Sequence, residues 1–121
     1  MIILGHRCFL FATVVVLALS VAAKAENAAE GETLYKKYCK SCHKLTDQLL
    51  VGPGFKGVTS RHSEEWLSIW IKSPKAMIES GDSAAIALKE KYKALMPTIK
   101  GMQSDEAIKN VISFLKENDT N

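Results

Sequence analysis

Two cysteines and a histidine stand together in the run Cys39-Lys40-Ser41-Cys42-His43, a Cys-x-x-Cys-His pattern. Thiols three residues apart fall on one side of a helical turn, so both can reach the same edge of a flat ring. The histidine that follows is carried over the ring face, where one imidazole nitrogen can bind a central metal. That set of atoms suits two thioethers to the vinyl groups of a haem, plus one axial ligand to its iron. The second imidazole nitrogen is left to donate to a backbone carbonyl, which fixes tautomer and ring orientation. One covalently held haem c with its iron is the expected cofactor, and one-electron transfer the expected chemistry.

Other uses of the cysteine pair fit less well. A structural zinc site needs a second pair of Cys or His ligands at finger-like spacing, which the chain lacks. A thioredoxin-like redox pair belongs beside a βαβ pattern, and none is visible. A disulfide within one helical turn is geometrically poor and leaves His43 without a purpose.

The chain begins with a pattern that suits export. His6 and Arg7 give a short cationic start, Cys8 to Ala23 is almost unbroken apolar sequence, and Ala23-Lys24-Ala25 is a small-x-small cleavage site. Residues 1–25 are thus expected to be a secretory signal peptide, cleaved after Ala25 on the way to the periplasm. A retained anchor is the alternative, although the apolar run falls short of the ~20 residues a spanning helix normally needs. Removal of this segment takes Cys8, leaving no cysteine outside the pair in an oxidising compartment. It also lowers the formal charge from +3 to +1, which two haem propionates would bring to about −1. Strong nucleic-acid binding is not expected.

Residues 26–121 are one small domain, in which an all-protein core is marginal and a porphyrin is a useful filler. Helix signals dominate it. Asn27-Ala28-Ala29-Glu30 fits a capping box that starts a helix running to the cysteines. Val51-Gly52-Pro53-Gly54-Phe55 forbids a continuous helix and reads as a loop. Ser63, followed by Glu64 and Glu65, starts a helix bearing Trp66, Leu67, Trp70 and Ile71; Ser73-Pro74 ends it and begins another that stops at Gly81. Asp82 or Ser83 caps a fourth helix to about Lys93. Ser104 with Asp105 and Glu106 opens the last one, where Ile108, Val111, Ile112 and Leu115 recur at i, i+3, i+4 and i+7. The expected fold is all-α, with about four to five helices around one haem.

Taken together, Gly31-x-x-x-Tyr35, the Cys-x-x-Cys-His run, Gly52-Pro53 with Phe55 and Gly57, the late Met96-Pro97 and the amphipathic last helix resemble class I cytochrome c. The haem run near the start of the domain fits class I rather than class II. The resemblance implies that first and last helices cross at close range, with Gly31 and Tyr35 against Val111 and Phe114. It implies that the Pro53 carbonyl holds His43. It also points to Met96 as sixth ligand, a thioether that stabilises ferrous iron and closes the site. Met102 and His62 are the competitors for that place. Arg61, Trp66 and Trp70 are candidates to hold the propionates, through a guanidinium fork and indole N–H groups.

Lys36, Lys37, Lys40 and Lys44 flank the attachment run, and Lys89, Lys91, Lys93 and Lys100 flank Met96. Such lysines can steer the domain toward acidic partners. The implied function is a monomeric one-electron carrier and not an enzyme. Quinol-oxidising complexes or dehydrogenases would be donors, and terminal oxidases or reductases acceptors, with docking at the periphery of membrane complexes. A ligand sensor or peroxidase-like protein with an open distal site is the alternative, as is a haem subunit of a larger respiratory complex.

Overall fold

Asn27 caps the first helix in the computed structural model, which describes residues 26–121; the expected signal segment 1–25 and its cleavage lie outside the described residues. Its side-chain oxygen accepts the N–H groups of Ala29 and Glu30 at 3.1 and 3.2 Å. A capping box would have Glu30 return to the Asn27 N–H. Instead that N–H donates to the side-chain oxygen of Asn110, 83 residues away, at 2.9 Å. Asn110 is buried and needs a partner, so half of the cap is tertiary rather than local.

Helix α1 (Ala28–Leu34) runs on into a π-turn over Tyr35–Cys39, where the Lys40 N–H reaches back five residues to the Tyr35 carbonyl at 2.9 Å. After the loop come α2 (Val58–Arg61), α3 (Glu64–Lys72), α4 (Pro74–Glu79), α5 (Ser83–Tyr92) and α6 (Asp105–Thr120). The caps fall where short polar side chains suggest: Ser63 accepts from Trp66 N–H, Asp82 rather than Ser83 accepts from Ala85 N–H, and Ser104 accepts from Ala107 N–H. Pro74 takes the first turn of α4, where its missing N–H costs nothing. Among the described residues there is no strand, and no helix is long and apolar enough to cross a membrane. The short α2 has no side-chain cap, and no signal in the sequence marks its start.

The core forms where α1 crosses α6. Ile108, Val111, Ile112 and Leu115 are all buried, joined by Tyr35, Val58, Leu67 and Met102. Burying each such side chain is worth roughly 1.5–3 kcal/mol. Gly31 is the contact point: a methyl group there would run into the backbone of Asn110 and the Cβ of Phe114. The Tyr35 and Phe114 rings lie 5.6 Å apart, while Val111 sits deeper in the cluster. The expected crossing is thus present, with Asn110 as an unforeseen member.

The far end of α6 closes the fold. Asp119 accepts hydrogen bonds from the Gly57 N–H at 2.6 Å, the Thr59 N–H at 2.9 Å and the Thr59 hydroxyl at 2.7 Å. Burial pushes its carboxyl up, but those three bonds and the charge of Arg61 together hold it below its ordinary 3.8. Asp119→Ala is expected to cost about 1.5–3 kcal/mol by urea unfolding at neutral pH. Because the folded value is depressed, this contribution is complete above the unfolded value and disappears as pH falls through the folded one. The gap between wild type and variant should therefore narrow at acid pH.

Candidate functional site

Cys39 ends the π-turn, and its carbonyl accepts the N–H groups of both Cys42 and His43, at 3.0 and 2.9 Å. The attachment run is thereby wound into one tight helical turn. Both cysteines are unpaired and half-buried. Burial first, and the Cys42 thiol second, push Cys39 up to about 11. A redox or nucleophilic thiol needs the opposite shift, so Cys39 is poorly made for thiol exchange.

His43 is held from four directions. Its Nδ1 lies 2.8 Å from the Pro53 carbonyl. A carbonyl only accepts, so Nδ1 carries the proton and the Nε2 lone pair is left for a metal. Burial lowers its pKa, outweighing the opposing pull of Pro53, and so favours the neutral, ligating form. The Phe55 ring stacks on the imidazole at 4.4 Å and 15°. On another side lies Gly52, where any Cβ would strike the imidazole. Finally the buried Tyr35 hydroxyl donates to the His43 backbone carbonyl at 2.8 Å.

These residues fit a haem of the attached type: two free thiols on one turn beside an imidazole whose tautomer leaves Nε2 available. Sequence reasoning identifies Cys39, Cys42, His43 and Pro53, and the structure brings the four together. It misses Tyr35, Phe55 and Gly52 as supports. Gly52 and Phe55 are visible in the sequence only as turn and family features, and the reach of Tyr35 depends on the π-turn.

The methionines separate by environment. Met102 is fully buried in the apolar cluster, and Met77 is buried on α4. Met96 is half-buried in the irregular stretch 94–99. His62 packs its ring flat on Trp66 at 4.1 Å and 19°, and Trp66 stacks in turn on Trp70 at 5.3 Å and 14°.

The three propionate candidates differ in what they already hold. An Arg61 guanidinium N–H donates to the Lys56 carbonyl at 2.5 Å. The Trp66 indole N–H donates to Asp82 at 3.2 Å. Trp70 has no indole hydrogen bond among the described residues and is the candidate with its donor open.

Comparison with known proteins agrees with this geometry. The family model described as "Cytochrome c" matches residues 28–119. The fold is similar to that of cytochrome c from Rhodothermus marinus, at 24% identity over 91% of each chain with a TM-score of 0.70. An engineered cytochrome c from the same organism, bound to a carbene intermediate, is 25% identical over 91% of this chain and 92% of that one, with a TM-score of 0.69. The cytochrome c domain of the pp3183 protein from Pseudomonas putida is 29% identical over 75% of this chain and 89% of that one, with a TM-score of 0.65. A comparison with curated protein sequences gives no match. Members of the matched family bind haem c with its iron. With the family match spanning nearly all of the described residues and the helical frame shared, this chain belongs to the class I cytochrome c family.

Proposed function

We propose that this protein is a monohaem one-electron carrier of an exported respiratory chain, in which His43 and Met96 would ligate the haem iron. The observation that carries the proposal is the fixed tautomer of His43, whose Nδ1 is 2.8 Å from Pro53 O, which leaves Nε2 unprotonated beside two free thiols. When bound, haem c supplies the Fe(II)/Fe(III) couple. Cys39 and Cys42 would hold it through thioethers. His43 would give a rigid nitrogen ligand, its ring fixed by Pro53 and Phe55 and its backbone by Tyr35. Among the described methionines, Met96 is the one outside packed helix or core, which supports it as the thioether ligand. With both His43 and Met96 retained as ligands, reorganisation would be small and no site would be left for a substrate, so the reading is a carrier rather than an enzyme.

The periplasmic location rests on the pattern of residues 1–25, and the partner classes on the carrier reading. Donors would be quinol-oxidising complexes or dehydrogenases, and acceptors terminal oxidases or reductases.

The test is the absorption spectrum of protein exported in a host with haem-attachment machinery. Haem retained after denaturation, a low-spin reduced spectrum, a weak sulfur-to-iron band when oxidised and no response to carbon monoxide are the expected results. Met96→Ala should abolish the sulfur-to-iron band, lower the reduction potential and admit carbon monoxide. Carbon monoxide binding by the unaltered protein would replace this reading with an open-site sensor or catalyst. A sulfur band that survives Met96→Ala would transfer the ligand role to Met102.

A further inference from the structure

Asp82 joins two helices through one oxygen. Its Oδ1 accepts the Trp66 indole N–H from α3 at 3.2 Å and the Ala85 N–H at the start of α5 at 2.8 Å. The Trp66 ring is itself immobilised between His62 and Trp70.

This join matters because α5 has little else to hold it. The helix buries only Ala85, and Ala85 lies outside the main apolar cluster. Among the described elements α5 packs chiefly on α4, whereas α3 packs on both α4 and α6. At its other end α5 stops on Lys93, a non-glycine residue in the left-handed region at φ 54°, three residues before Met96. The stretch 94–99 then has no regular structure. Whatever fixes α5 therefore fixes the origin of the Met96 segment.

We propose that the Trp66–Asp82 bond is a clasp that positions the Met96 segment, so that Asp82 governs how readily Met96 yields its place to a competing ligand. The inference rests on Met96 being the sixth ligand. Asp82 is a positioning residue in this scheme, acting through Trp66 and α5. A competing ligand binds only the fraction of molecules in which Met96 has left, so its apparent affinity rises in proportion to that fraction.

The test is titration of the oxidised holoprotein with imidazole, followed by loss of the sulfur-to-iron band. Trp66→Phe should raise the imidazole affinity about tenfold, the change expected for loss of one hydrogen bond to a charged acceptor, and Asp82→Ala, which also removes the bond to the Ala85 N–H, by at least as much. Asp82→Asn keeps an oxygen for both N–H groups and should stay within about threefold of wild type. The double variant Trp66→Phe/Asp82→Ala should be no looser than Asp82→Ala, because both changes break the same bond. Asp119→Ala, which weakens the fold elsewhere, should leave the imidazole affinity unchanged and so separates positioning from general instability.

Wild-type affinity in both Asp82→Ala and Trp66→Phe, with a band that imidazole still displaces, would overturn the clasp and leave Met96 as ligand. A rise in Asp82→Ala alone would reduce Asp82 to a helix cap and also overturn it. A wild-type protein with no sulfur band would overturn the Met96 reading and this one with it.

Discussion

Gly31→Ala is expected to lower the melting temperature by roughly 12–24 °C, although alanine is intrinsically the better helix former. At an open helical position the same change would gain about 1 kcal/mol. Here the new methyl group meets the carbonyl carbon and oxygen of Asn110 and the Cβ of Phe114. Backbone atoms cannot rotate aside as a side-chain tip can, so the only relief is separation of α1 from α6. That separation would loosen the Tyr35–Phe114 contact and the hydrogen bond from Asn27 to Asn110. The net loss is about 3 kcal/mol, a large part of the stability of a small domain. Thermal and urea unfolding of the holoprotein measure it, and an unchanged or raised midpoint would show that the helices part without cost.

On the attachment proposed for Cys39 and Cys42, Gly52→Ala should leave much of the protein without covalently held haem. Its Cβ would lie 2.8 Å from Nδ1 of His43 and closer still to Cε1. The imidazole cannot retreat freely, since Phe55 is stacked on it at 4.4 Å. Nor can the Gly52 backbone, whose N–H donates to the Cys42 carbonyl at 2.9 Å and whose carbonyl accepts from Leu50 at 3.1 Å. The ring is thus expected to swing off Pro53, losing the bond that sets its tautomer. Covalent haem content and the low-spin spectrum of exported protein are the readouts. Gly81→Ala is the control: its Cβ would touch nothing within 4 Å, and only the positive φ of 87° opposes it. That strain costs about 1–2 kcal/mol and should spare haem content. Equal haem in the Gly52→Ala and wild-type proteins would mean that the imidazole is not confined as the structure indicates.

Short-range chemistry makes much of this molecule legible in its sequence. Ser63, Asp82 and Ser104 cap helices through N–H groups three residues away, and such caps can be read directly from the chain. The apolar stripe of α6 and the attachment run are equally local signals. What stays hidden depends on distant partners. Nothing near Asn27 indicates Asn110, and nothing near Asp119 indicates Gly57 and Thr59, some 60 residues earlier. Trp66 reads in the sequence as an indole N–H in want of an acceptor, yet the acceptor that it finds is Asp82. Met96 and Met102 are chemically identical and six positions apart; the proline after Met96 marks it in the sequence, whereas the full burial of Met102 shows only in the fold.

The π-turn over Tyr35–Cys39 has an effect on chain length. Closing a turn over five residues instead of four accommodates one residue more than regular α winding would need. The exposed lysines 36 and 37 lie inside that turn. Loss of either could be absorbed by winding the stretch back to plain α geometry, with the cysteines still facing as they do now. The count of residues between the crossing glycine and the first attachment cysteine is thus free to vary by one, whereas the orientation that the count serves is not. Proteins aligned on these two landmarks can therefore carry a single-residue gap between them and share one geometry.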